Sequence, residues 1–175
     1  MSVLHTNRLI LINIPTTLSV LLSSTDIYNK WDNYATIYPK EFKKYLKITI
    51  VRNPWNRVVM NYENAKSDIN HIDHLICISH TFSELVVILF NSPNKLLHVG
   101  WKNQFPYIYN KKKELMVNKV LKCENLNTEF NQLNLNIELP TQLPCLLHKD
   151  YYNETTKELI TMRYYKDIKL FNYEF

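Results

Sequence analysis

A single glycine, Gly100, occurs in 175 residues, where ordinary usage gives about a dozen. Glycine supplies the positive-φ turns and close backbone approach of phosphate-cradling loops, so a function resting on a glycine-rich loop lacks its usual material. Cysteine is also scarce. Cys77, Cys123 and Cys145 are odd in number and show no CxxC spacing, which argues against a disulfide framework and for reduced thiols in a cytosol-like compartment. Long apolar runs are missing as well. The segment "RLILINIPTTLSVLL" is interrupted by Asn13, Pro15, Thr16 and Thr17 before it reaches the about 20 residues of a membrane span. No small-residue cleavage site follows it. The expectation is a soluble, cytoplasmic-type chain with no signal peptide and no membrane partner. Without repeats or low-complexity linkers, one domain over residues 1–175 is expected.

What is present is ordinary for a globular protein: 46% hydrophobic and 21% charged residues. The net charge of +5 and a pI near 9.0 fit either an anionic partner or a solvated basic surface.

The run Arg8 to Ile14 reads as a buried parallel strand ended by Pro15, after which "TTLSVLLSS" begins a helix. Residues 36–45 read as loop and helix, and "KITIV" (Lys47 to Val51) is a second β-branched strand. Asn53 then stands at an N-cap with Pro54 at the first helical position. Trp55, Val58, Val59 and Tyr62 follow at helical spacing. "SDINHIDHLICISH" has no clean period and reads as a loop. "TFSELVVIL" is a helix with a Thr/Ser start and a Ser-Pro-Asn stop. A hairpin-like turn at Asn110 to Lys113 leads to a strand over Val117 to Cys123. Glu124 and Asn125 fix the turn into a short helix over Asn125 to Leu133. One amphipathic helix capped by Asn153 closes the chain, with Leu159, Met162, Tyr165 and Phe171 as its core face. Strands alternating with helices imply an α/β fold with a mostly parallel sheet.

Arg52 sits at the seam between the second strand and the helix that follows. A helix N-terminus carries unpaired N–H groups and partial positive charge, and arginine adds a planar fork that fits phosphate oxygens. From the local pattern, the seam reads either as a phosphate site or as a capped turn whose arginine pairs with an acid.

Five stretches, in order, resemble the sulfotransferase superfamily, in particular its carbohydrate (family-2) branch. "IVRNPWNRVVMNY" is similar to the signature "VRNPxDRLxSxY", and "INIPTTLS" to the loop "HIPKTGGTS". "TFSELVVIL" is similar to "SFxEFxxxL". "WKNQFPYIYNKKKELMVNKVLKCENL" resembles "WxPQxxYIxDxxGxLxVDxIxRxENL", and "DYYNETTKELITMRYYKDIKLFNYEF" resembles the family's C-terminal pattern. The resemblance implies a P-loop nucleotide-kinase-like fold, a three-layer α/β arrangement with a parallel sheet flanked by helices. It implies transfer of a sulfuryl group from 3′-phosphoadenosine 5′-phosphosulfate to a hydroxyl of a carbohydrate or similar acceptor. In that family the first loop holds the 5′-phosphosulfate, and the arginine of the signature with a later serine holds the 3′-phosphate.

Carried over by position, the nucleotide-binding set is Thr16, Thr17, Ser19, Arg52, Asn53 and Met60. Thr16 stands where the family has its catalytic lysine, Leu18 and Ser19 replace its paired glycines, and Met60 replaces its phosphate-binding serine. These departures allow a second implication, a catalytically impaired protein that keeps nucleotide or anion binding. Lys102, Lys149 and Arg57 are candidate replacements for the missing cation. His98 is the candidate general base, since the family's frequent histidine before the tryptophan is Gly100 here. His71, Asp73, His74, Cys77 and His80 are ligand types at close spacing, but with no second ligand pair they read as a polar loop, and no metal is expected. The lysines at residues 111–113 read as a solvated turn, so no nucleic-acid partner is expected.

Overall fold

The β-branched run that ends at Val51 forms the strand on which the rest of the sheet is built. In the computed structural model, which describes residues 2–4, 8–17, 44–93, 97–135 and 148–175, this strand is β3, Leu46–Val51. It pairs in parallel with β2, Leu9–Ile12, in the register Leu9 to Leu46 and Ile12 to Thr49. On its other side it pairs in parallel with β4, Lys119–Lys122, with Ile48 opposite Lys119 and Val51 opposite Lys122. An antiparallel edge strand, β1 (Ser2–Leu4), completes the order β1-β2-β3-β4. Both faces of β3 are buried: Ile48 and Ile50 on one, Thr49 and Val51 on the other, as a central parallel strand requires. Thr49 is tolerated there because its hydroxyl donates to the carbonyl of Ile12 at 2.9 Å.

The chain packs as two compact units. The first comprises residues 1–52 and 104–143 and holds the sheet. A short 3₁₀ turn, Cys123–Asn125, leads from β4 into helix α4, Leu126–Asn131. Leu126 and Phe130 of α4 close on Leu9, Ile48, Ile50 and Leu121 to make the unit's core. The architecture is therefore α/β, with three parallel strands and α4 packed on one sheet face. The turn after Asn110 is fixed by its side chain, whose Oδ1 accepts from the N–H groups of Lys112 and Glu114, both at 2.9 Å. Lys111, Lys112 and Lys113 are exposed.

The second unit comprises residues 53–103 and 144–175. Its described elements are helical: α1 (Pro54–Ser67), α2 (His74–Ser79), α3 (Phe82–Asn91), α5 (Glu154–Arg163) and α6 (Tyr165–Phe171). Asn53 caps α1 as its position predicts, its Oδ1 accepting from Trp55 N–H at 3.0 Å and Asn56 N–H at 3.4 Å. Thr81 and Glu84 form a reciprocal capping box on α3. The C-terminal end of α3 is met by Arg163, whose Nη1 donates to the carbonyls of Phe90 and Ser92 at 3.3 Å, a favourable place for a cation.

Two readings of this unit need correction. The segment assigned to a loop contains α2, whose Cys77 is buried while its Leu75 and Ile78, and Ile69 and Ile72 before it, are exposed. Apolar residues outside the buried face hide the helical period. The single final helix is two helices, divided at Tyr164 (φ −104°, ψ 20°). Tyr164 is buried, and its hydroxyl donates to the carbonyl of Trp101 at 2.6 Å. The core face is accordingly Thr156, Ile160, Tyr164, Asp167 and Phe171, whereas Met162 and Tyr165 are exposed. The helix expected after Pro15 and most of residues 36–45 lie outside the described residues.

Burial sets an acid limit on stability. His148 packs its ring edge-on against Phe175, with centroids 5.4 Å apart, and Nε2 is buried with no hydrogen-bond partner among the described residues. A protonated ring would bury an N–H with nothing to accept it. Burial, with Lys149 adding to it, holds the pKa of His148 below the usual 6.5. The unfolded chain therefore binds the proton first, and stability falls as pH drops from about 6.5 through the lower folded value. Urea denaturation at stepped pH should show this slope, and His148→Phe should flatten it.

Candidate anion site

The carboxyl ends of the three parallel strands lie together in the first unit, the end of an α/β sheet at which ligands generally bind. The turn Ile14 to Thr17 follows β2, Arg52 follows β3 and Cys123 follows β4. Arg52 Nη2 donates to Cys123 Sγ at 3.1 Å, and that thiol lies 4.0 Å from the carbonyl oxygen of Thr17.

Arg52 is only 4% exposed, and its Nε has no hydrogen-bond partner among the described residues. Among the described residues no carboxylate pairs with it. A thiol is a weak acceptor, so the guanidinium is a buried cation with most of its donor capacity unspent. Burying a charge this way costs several kcal/mol unless a counter-charge meets it. The pairing with an acid that the capped-turn reading expects is absent among the described residues.

The backbone of Arg52 is held firmly. Gln104, fully buried, accepts from Arg52 N–H through Oε1 at 2.9 Å and donates from Nε2 to the Arg52 carbonyl at 2.8 Å. One side-chain amide thus satisfies both backbone groups of the residue at which β3 ends. Gln104 lies within "WKNQFPYI", where nothing in the local pattern assigns it a role. The only signal available was an uncharged amide inside a motif, and its burial is a long-range fact.

The first loop presents little charge. Thr16 adopts φ 64°, and its Oγ1 donates to the carbonyl of Pro15 at 2.6 Å. Thr17 is buried, with Oγ1 donating to the carbonyl of Ile14 at 2.6 Å. Both hydroxyl protons are therefore engaged within the turn. A β-branched residue at positive φ is strained. Thr16→Gly should relieve this and raise unfolding free energy by about 1 kcal/mol, measurable by urea titration. Ser19 lies outside the described residues.

The remaining sequence candidates belong to the second unit. The amides after Asn53 are taken by its own side chain, and Asn53 Nδ2 donates to the carbonyl of Glu174 at 2.8 Å. Pro54 has no N–H to give. Met60 is a buried core residue of α1. Arg57 is buried, with Nη1 donating to the carbonyl of Lys102 at 2.7 Å. Lys149 Nζ lies 5.5 Å from the ring centroid of Phe175. His98 Nδ1 is 3.3 Å from Asp73 Oδ2. Burial lowers the pKa of His98, with Asp73 pulling the other way, so the ring is neutral at neutral pH. Cys77 is buried, and desolvation followed by Asp73 pushes its thiol up to about 11, which makes it an inert core residue.

No family model, curated protein or solved structure matches the chain. Among the described residues no helix is long and apolar enough to cross a membrane.

Proposed function

We propose that Arg52 receives a phosphate group of a nucleotide, in a protein of sulfotransferase type. The observation that carries this reading is a buried guanidinium with an unpartnered Nε, no carboxylate beside it among the described residues, and a backbone clamped by Gln104 at the end of a central parallel strand. A phosphate dianion supplies the acceptors and the charge that the thiol of Cys123 does not. In the sulfotransferase reading, the fold is the three-layer, nucleotide-kinase-like arrangement and the ligand is 3′-phosphoadenosine 5′-phosphosulfate, whose 3′-phosphate meets Arg52. Bound, that nucleotide supplies an activated sulfuryl group for a hydroxyl of a carbohydrate or similar acceptor. Arg52 orients the donor and adds no group to the bond that breaks, so its effect is on binding and positioning.

A second reading has its own support in the first loop. Thr16 and Thr17 direct their hydroxyl protons to neighbouring carbonyls, and neither bears the positive charge that stabilises a departing phosphate. Removing such a group typically costs about 10² to 10³ in rate. On this reading the chain binds the nucleotide or another anion with little turnover. Radiolabelled sulfuryl transfer onto a panel of glycans and peptides separates the two. Transfer that disappears in Arg52→Met supports the enzyme; nucleotide binding without transfer supports the impaired form.

A further inference from the structure

The loop before α2 holds an arrangement independent of Arg52. Asp73 is the N-cap of α2, yet its side chain makes no cap hydrogen bond, whereas Asn53, Thr81 and Asn153 all cap their helices. Its Oδ2 is directed to three other groups. It lies 3.3 Å from His98 Nδ1 and 3.9 Å from His71 Nδ1, and it accepts from Trp101 Nε1 at 2.9 Å. One ligand atom from each of His71, Asp73 and His98 falls within a 4.8 Å group. The rings of His71 and His98 meet edge to face at 5.6 Å.

We propose that His71, Asp73 and His98 bind a divalent transition-metal ion of zinc type. Two imidazoles and one carboxylate form a three-ligand set that leaves a coordination position for water. In a tetrahedral site with bonds of about 2.0–2.1 Å, ligand atoms stand about 3.3 Å apart. The His98 to Asp73 separation of 3.3 Å already matches, the His71 to Asp73 separation of 3.9 Å is close, and all three ligand atoms lie within 4.8 Å of one another. The side chains are partly buried, with 18% exposure at Asp73 and 31% at His98, so solvent reaches the open position.

Tautomers are favourable as well. The N–H of Asp73 donates to His71 Nδ1 at 3.1 Å, which places a lone pair on Nδ1, the atom facing Asp73. Ligation exchanges that long hydrogen bond for a metal bond. Trp101 donates to the same carboxylate oxygen and holds it in place, as outer partners of metal ligands commonly do. The other candidates of this segment are directed elsewhere: His74 Nδ1 contacts the carbonyl of Ala65 and His80 Nδ1 that of Ile76, both at 2.9 Å.

The test uses the full chain after dialysis against a chelator, titrated with zinc chloride in a calorimeter and with cobalt(II) in a visible spectrophotometer. The expected result is one saturable equivalent, with ligand-field bands for cobalt in a nitrogen and oxygen site. His71→Ala, Asp73→Asn and His98→Ala should each weaken zinc at least tenfold, and Trp101→Phe about tenfold. Circular dichroism checks that each variant folds. Should an alanine variant fail to fold, Asp73→Asn keeps an acceptor for Trp101 and carries the test. No saturable binding up to millimolar zinc would overturn the proposal, as would an affinity unchanged by all three ligand substitutions.

Discussion

Replacing Arg52 by methionine should make the ligand-free protein more stable, by about 1–3 kcal/mol, while weakening its affinity for phosphate. Most substitutions of buried residues destabilise, so the sign is the informative part. Arg52 is almost fully buried, and among the described residues its Nε has no partner and its one side-chain hydrogen bond goes to a thiol. Methionine fills a similar volume without a charge to desolvate. An arginine kept for structure behaves in the opposite way, because its loss leaves partners unpaired. The affinity change follows from charge-assisted hydrogen bonds, worth about 1.5–3 kcal/mol, which corresponds to roughly a 10- to 150-fold weaker complex. Urea titrations with and without nucleotide separate the two effects. Ligand should raise the midpoint of the parent chain more than that of Arg52→Met.

Gln104→Leu should destabilise the protein by about 3 kcal/mol, since it leaves the buried N–H and carbonyl of Arg52 without partners at about 1–3 kcal/mol each. The two bonds at 2.9 and 2.8 Å are the means by which residue 104 fixes residue 52. The variant should also weaken nucleotide binding, because the guanidinium then hangs from an untethered backbone. Denaturation midpoints measure the first effect, and calorimetry on the folded variant measures the second. A loss below about 0.5 kcal/mol would mean that the clamp is dispensable, since that is the scale of ordinary surface substitutions.

Local chemistry was well written in the chain. The apolar run of β2, the β-branched run of β3, the Asn-Pro start of α1 and the Thr start of α3 each depend on neighbours within a turn or a strand, and each forms where expected. The misread elements depend on distant partners. α2 looked like a loop because its apolar residues Leu75 and Ile78 lie outside its buried face. The break at Tyr164 is associated with a bond to the Trp101 carbonyl, which no period within the last segment reveals. The candidate site shows the same division. Arg52 was legible as a cation at a strand end, but its lack of an acid among the described residues and its clamp by Gln104 belong to the packed chain. His98 was legible as a histidine near a tryptophan; its approach to His71 and Asp73 was not.

The most direct measurement is a calorimetric titration of the parent chain and of Arg52→Met with adenosine 3′,5′-bisphosphate. Saturable heat in the parent chain, weakened roughly 10- to 150-fold by the substitution, is the result predicted. No heat at millimolar nucleotide, or equal affinity in the two proteins, would contradict it.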